Sequence, residues 1–100
     1  MAAEPHLPLA LNIVHNEARQ RFEAEVDGRL CLCAYRRDGD VVAFTHTEVP
    51  PSLQGRGLAA ALVREALAWA AAHGLQVRPL CSYVAAYLRR HPEAVPREAR

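Results

Sequence analysis

Polar and apolar residues alternate along the first half of the chain with the period of two that is typical of a half-buried β-strand. The alternation is clearest in the segment Arg21, Phe22, Glu23, Ala24, Glu25, Val26. We predict further strands at 11–14, 30–35 and 41–49. Asp27-Gly28 and Asp38-Gly39-Asp40 separate successive strands with residues that favour hairpin turns. The first half therefore predicts an antiparallel meander of four strands.

The second half changes to the period of a helix. Pro50 and Pro51 end the fourth strand, because proline lacks the N–H that a β-ladder needs. An apolar stripe then predicts a helix over 58–73, and Gly74 stands where a helix C-cap glycine belongs. We predict a fifth strand at 75–80 and a closing helix at 83–90. Because a helical crossover joins them, the fourth and fifth strands should run parallel.

Length and composition fit this α/β fold. The chain has 100 residues, of which 51% are hydrophobic, enough for one small packed domain. Twelve basic residues balance eleven acidic ones, whereas a general nucleic-acid binder carries a basic excess. All twelve basic residues are arginine, which excludes chemistry that needs a lysine.

No segment of the sequence predicts targeting or membrane insertion. The start of the chain has no basic region and carries Pro5 and Pro8, so we do not expect a signal peptide. The longest apolar stretch, 58–72, is too short and too charged to span a bilayer. The three cysteines are an odd number and favour a reducing compartment, so we expect the cytoplasm.

The segment from 49 to 59 carries the strongest indication of function. A strand ends, a glycine-containing loop follows, and a long helix begins. The first N–H groups of a helix lack internal partners and carry partial positive charge, so such a loop can hold a phosphate. A P-loop is excluded because no Gly-Lys-Ser/Thr follows, and the Rossmann fingerprint is absent.

This segment resembles the signature of the GNAT acetyltransferase superfamily, Gln/Arg-x-x-Gly-x-Gly/Ala preceded by Val-x-Pro. Gln54, Gly57 and Ala59 fill the signature, and Val49 and Pro51 fill the lead-in. The resemblance implies that acetyl-CoA is the cofactor, with the loop amides on its pyrophosphate and Val49 beside its pantetheine arm. The implied cofactor-binding residues are Thr47, Val49, Gln54, Gly55, Arg56, Gly57, Leu58 and Ala59.

The likeness extends to the short single-domain GNAT-like proteins through 46–50, 79–84 and 90–93. It covers roughly residues 12–93, which implies one GNAT-like domain over 1–100 with its core in that range. The chain departs from full-length members, which place further helices and strands around the acceptor. The resemblance implies acetyl transfer to an amine acceptor whose identity stays open. Two alternatives stay open as well: an acyl-CoA-binding module with little turnover, and a thiol-based regulatory protein that uses Cys81.

Cys81, His46 and Tyr83 are the candidate catalytic residues. Cys81 stands at the start of the second helix, where a thiol ionises more readily, and it either accepts the acetyl group or assists direct transfer. His46 is the candidate general base, with Glu48 as its rival. Alternation places both with Phe44 on one face of the fourth strand. Because His46 and Cys81 come from the ends of adjacent strands, we predict that they face each other near the acetyl group.

The remaining candidates divide between the cofactor and the core. In GNAT enzymes a tyrosine on the corresponding helix protonates the leaving thiolate, which implies that role for Tyr83, whereas Tyr87 is expected to pack. Arg56 is a candidate partner for a cofactor phosphate. Cys31 and Cys33 lie two apart in an apolar strand and predict core packing. The histidines show no metal-ligand spacing, so we predict no metal site.

Overall fold

The computed structural model describes residues 11–94, arranged as a five-stranded sheet with two helices. The strands are β1 (Val14–Asn16), β2 (Arg21–Val26), β3 (Arg29–Asp38), β4 (Val41–Glu48) and β5 (Gln76–Pro79). The helices are α1 (Leu58–Ala72) and α2 (Ser82–Arg90), with 3-10 turns at Pro51–Leu53 and Pro92–Ala94. Most of the N-terminal segment assessed for a signal peptide lies outside the described residues.

The strands lie in the order β1-β2-β3-β4-β5. The first four pair antiparallel, and β5 pairs parallel to β4 after the α1 crossover. This arrangement confirms the predicted α/β fold. The β2–β3 turn has positive φ at Asp27 (53°) and Gly28 (73°), as a type I′ hairpin requires.

One hydrophobic core lies between the sheet and the two helices. Phe22, Cys33 and Phe44 enter it from the strands, and α1 supplies Leu62, which is fully buried. The buried residues of α2 belong to the same cluster, so both helices cover one face of the sheet. The opposite face carries none of the described helices. None of the helices in this part of the chain is long and apolar enough to cross a membrane.

The first strand differs from the prediction in position. It spans Val14–Asn16 and not 11–14, because its register pairs Val14 with Glu23 and His15 with Phe22. Leu11 and Ile13 are half-buried and pack against the core from outside the ladder. Their hydrophobicity reflects packing and not strand pairing.

A β-bulge in β4 interrupts the alternation of its residues between the two faces of the sheet, so the faces predicted for residues after the bulge are wrong. Tyr35 pairs with Phe44 and Ala34 pairs with His46, which leaves Thr45 as an extra residue on β4. Directly paired residues share a face, so Thr47, opposite the buried Cys33, lies on the core face. His46, opposite Ala34, lies on the helix-free face.

Candidate active site

A cavity of about 390 Å³ opens where the carboxyl end of β4, the glycine loop, the start of α1 and the start of α2 meet. It lies at the point where β4 and β5 stop pairing, since their last paired residues are Phe44 and Pro79. The cavity is lined by Thr47, Val49, Leu53, Gln54, Gly55, Gly57, Leu58, Ala59, Ala60 and Tyr83. All the predicted cofactor residues except Arg56 belong to this lining.

The glycine loop presents unpaired backbone donors to the cavity. Gly57 is the N-cap of α1 in the left-handed conformation, with φ 78°, and Gly55 has φ 85°. A Cβ atom at either position would meet no other atom within 4 Å. The first turn of α1 has neither an acidic residue nor a side-chain cap, so its first N–H groups stay available to an anionic ligand.

Two side chains hold the loop in this shape. Gln54 Nε2 donates a hydrogen bond to the Val49 carbonyl at 3.1 Å, which ties the loop to the end of β4. Leu53 is 1% exposed and anchors the 3-10 turn in the core. Sequence reasoning missed Leu53, although an apolar residue within a polar loop indicates such an anchor.

Arg56 points away from the cavity lining. Its Nη1 lies 3.4 Å from an Asp27 carboxylate oxygen in the β2–β3 turn, and both side chains are more than half exposed. Such an exposed ion pair contributes little to stability. In this structure Arg56 links the loop to a neighbouring hairpin, and its predicted contact with a cofactor phosphate stays a prediction.

Cys81 is the N-cap residue of α2 and lies beside the cavity. Its backbone N–H donates to the Phe44 carbonyl at 2.8 Å, and its Sγ lies 3.4 Å from Thr47 Oγ1. Burial raises the pKa of the thiol, but hydrogen bonds from the Thr47 hydroxyl and from the N–H groups of Val84, Tyr83 and Thr47 outweigh it. The net effect lowers the pKa below the ordinary thiol value of 9.0.

The other two cysteines belong to the core, as predicted. Cys31 and Cys33 are both fully buried. Burial raises the pKa of the Cys33 thiol to about 12, so this sulfur stays protonated at neutral pH. Cys33 Sγ nevertheless lies 4.0 Å from Thr47 Oγ1, the same hydroxyl that contacts Cys81.

Tyr83 and Tyr87 have different surroundings, and Tyr87 packs as expected. Tyr83 lines the cavity and is 38% exposed, whereas Tyr87 is 8% exposed and packs in the core. Burial raises the pKa of the Tyr83 hydroxyl, and the nearby Arg90 opposes this only in part. Tyr83 therefore keeps its proton at neutral pH and can donate it.

The predicted meeting of His46 and Cys81 is wrong. The bulge at Thr45 turns His46 onto the helix-free face, where its Nε2 lies 3.4 Å from Glu48 Oε1 and both side chains are 61% exposed. Thr47 is the β4 residue that contacts Cys81. Among residues 11–94 there is also no cluster of three His, Cys, Asp or Glu side chains able to hold a metal.

Comparison with known proteins places this geometry in a family. The family model described as GCN5-related N-acetyl-transferase matches residues 21–97, which include the whole loop and Cys81. The chain therefore belongs to the GCN5-related N-acetyltransferase family. The match agrees with the resemblance found in the loop signature.

The chain is also similar to the vertebrate proteins named Protein NATD1. The Mus musculus protein is 28% identical over 85 residues, which cover 82% of this chain and 77% of that protein. The Homo sapiens protein is 28% identical over 85 residues, covering 82% and 75%. The Bos taurus protein is 28% identical over 97 residues, covering 91% and 86%.

Proposed function

We propose that this protein transfers an acetyl group from acetyl-CoA to an amine acceptor. The observation that carries the proposal is the cavity itself, which joins a left-handed glycine loop at a helix N-terminus to Thr47, whose hydroxyl contacts the Cys81 thiol. Family membership supports the acyl donor, since GNAT proteins generally use acetyl-CoA. The amine is the acceptor that the family description implies. The three free cysteines favour the cytoplasm as its location.

The residues of the cavity fit the acyl donor chemically. The N–H groups at the start of α1 would hold the pyrophosphate, because a glycine Cβ would project into open space there and no acidic side chain opposes an anion. The Val49 carbonyl is already bonded to Gln54. Because this carbonyl is not free, Val49 and Thr47 would contact the pantetheine arm mainly through their other atoms. They lie along the edge that β5 leaves unpaired beyond Phe44.

Two routes for the acetyl group are open, and we favour the route through Cys81. In it the Cys81 thiolate attacks the thioester carbonyl, a new carbon–sulfur bond forms, and the bond to the CoA sulfur breaks. Tyr83 donates its proton to the departing CoA thiolate. The neutral amine then attacks the acetyl-cysteine carbonyl, and the bond to the Cys81 sulfur breaks. The amide and the Cys81 thiolate form, and the proton that the nitrogen gives up passes to a base and restores Tyr83.

In the direct route the amine attacks the thioester, and Cys81 or Tyr83 only assists the leaving thiolate. His46 is a proposed base in either route. Because it lies on the helix-free face, its proton transfer would concern the incoming amine and not the Cys81 thiol. Glu48, its hydrogen-bond partner, is the rival base.

The test follows the acetyl group. The protein is mixed with acetyl-CoA and a panel of primary amines, quenched at intervals, and its peptides are analysed by mass spectrometry. We expect acetyl on the Cys81 peptide, transfer to at least one amine, and loss of both in Cys81→Ser. Tyr83→Phe should keep the fold and slow transfer by about 10²-fold, the usual contribution of a general acid.

Each other outcome decides between the alternatives. Wild-type transfer by Cys81→Ser would overturn the covalent route and leave direct transfer. The same assay with His46→Ala tests the base, because only acceptor transfer should slow in that variant. Acetyl-CoA binding without transfer to any amine would favour the acyl-CoA-binding module.

A further inference from the structure

Thr47 makes side-chain contacts within the site that its proposed role in binding the cofactor does not explain. It lies on β4 two residues after the bulge residue Thr45, and its hydroxyl lies within 4.0 Å of two sulfur atoms. Thr47 Oγ1 is 3.4 Å from Cys81 Sγ and 4.0 Å from Cys33 Sγ. The same residue lines the cavity. One hydroxyl therefore touches the candidate nucleophile, a buried thiol and the cavity.

A threonine hydroxyl has a single proton to donate, so it can satisfy only one of the two sulfurs at a time. Cys33 is fully buried and stays a neutral thiol at physiological pH. A thiolate is a much stronger acceptor than a thiol, since hydrogen bonds to charged groups are roughly twice as strong. Once Cys81 ionises, the Thr47 proton therefore goes to Cys81.

We propose that Thr47 is a positioning residue whose hydroxyl orients the Cys81 sulfur and stabilises its thiolate. The role rests on the proposed function, because a poised thiolate matters only if Cys81 receives the acetyl group. The bulge at Thr45 is the structural device that makes it possible. Without the extra residue, strict alternation would put His46 and not Thr47 on the core face of β4.

Few other groups near Cys81 could lower the pKa of its thiol. Cys33 on β3 and Tyr83 on α2 are titratable, and burial raises the pKa of both, so they stay neutral. His46 and Glu48 are the charged candidates on β4, and both lie on the other face. The groups that favour the Cys81 thiolate are hydrogen-bond donors, among which Thr47 supplies the one side chain.

The experiment measures thiolate formation directly and needs no acyl donor. The full chain is treated with iodoacetamide across a range of pH, and alkylation of the Cys81 peptide is followed by mass spectrometry. Cys31 and Cys33 are fully buried and serve as internal references. Thr47→Val keeps the shape of the side chain and removes the hydroxyl. We expect it to shift the pH–rate profile upward and to slow alkylation at neutral pH on the order of tenfold.

Two further variants make the test specific. Thr47→Ser restores the hydroxyl and should return the profile to that of the wild type. Ser52→Ala removes a hydroxyl at an exposed position outside the cavity lining and should leave the profile unchanged. Should Thr47→Val fail to fold by circular dichroism, Thr47→Ala replaces it with the same expected shift.

Three results would overturn the proposal: a wild-type profile for Thr47→Val, a Thr47→Ser variant as slow as Thr47→Val, or an equal shift in Ser52→Ala. Failure of the proposed function is distinguishable from these. If the alkylation profile responds to Thr47 as expected but no acetyl group reaches Cys81 or an amine, thiolate positioning by Thr47 stands and acetyl transfer falls.

Discussion

Gly57 combines two properties that a side chain would remove. It adopts φ 78°, a left-handed conformation that residues with a Cβ rarely take, and it leaves the N-terminus of α1 open to the cavity. The first property concerns stability and the second concerns the ligand. Separating them requires a second glycine with the same backbone conformation and no part in the site.

We expect Gly57→Glu to abolish or strongly weaken the binding of coenzyme A while the protein stays folded. The new carboxylate would stand against the phosphate groups and cover the free N–H groups. Calorimetric titration with coenzyme A should show affinity lower by at least about tenfold, the effect of losing one charge-assisted hydrogen bond.

Gly39 provides the matched control. It has φ 61° in the β3–β4 turn, and its Cβ position is equally empty. Gly39→Glu should therefore lower the free energy of unfolding by about as much as Gly57→Glu does, about 1–2 kcal/mol for a left-handed residue. It should not lose affinity for coenzyme A. Equal affinities of the two variants for coenzyme A would mean that the ligand binds elsewhere.

Among the elements, α1 links the stability of the fold to the site. Its N-terminus forms one wall of the cavity, and its inner face packs on β2, β3 and β4 through residues such as Leu62 and Val63. The burial of this inner face, more than the helix propensity of the alanines in α1, fixes the position of the first helical turn.

We expect Leu62→Ala to lower the free energy of unfolding by about 2–5 kcal/mol, because it leaves a cavity in a fully buried position. Urea denaturation followed by circular dichroism measures the change. Arg64→Ala, on the exposed face of the same helix, should change it by no more than about 0.5 kcal/mol. Comparable losses in the two variants would contradict the observed orientation of α1.

At the scale of the whole molecule, a histidine lies in an aromatic cluster at the far end of α1 from the cavity. The His15 ring stacks on Phe22 with centroids 4.0 Å apart, meets Trp69 edge-on at 4.8 Å, and its Nε2 lies 2.7 Å from the Tyr35 hydroxyl. Burial lowers the pKa of His15 below its ordinary value of 6.5; Glu17 opposes this and His73 adds to it. The cluster therefore favours the neutral ring.

This shift makes stability depend on pH. Between the lowered folded-state pKa and 6.5, the unfolded chain binds more protons at His15 than the native protein does. We therefore expect the free energy of unfolding to be highest above 6.5 and to fall as the pH drops below it. The loss ends below the folded-state pKa, where both states are protonated.

Urea denaturation at about pH 7.5 and about pH 5 tests this expectation. His15→Gln should be less stable at both pH values, since it loses the ring stacking, and should show a smaller difference between them. His46→Gln, at an exposed position, should keep the wild-type difference. A full pH dependence in His15→Gln would assign the effect to other groups.

The amino-acid sequence by itself determined the order and type of the elements. Alternation identified β2 to the residue, the Asp27-Gly28 pair fixed its turn, and the apolar stripe with Gly74 bounded α1 within one residue. The resemblance to a known loop signature selected seven of the ten residues that line the cavity. These are local properties, in which neighbouring residues decide periodicity, turn conformation and capping.

Contacts between distant residues decided the rest. The bulge that exchanges Thr47 for His46 on the core face arises from the pairing of β4 with β3, which alternation within β4 does not encode. Thr47 and Cys81 are 34 positions apart, and Arg56 and Asp27 are 29 apart. Only the packed sheet brings such distant residues together. Strand register, and the point where β4 and β5 separate, depend on residues of both paired strands being buried at the same time.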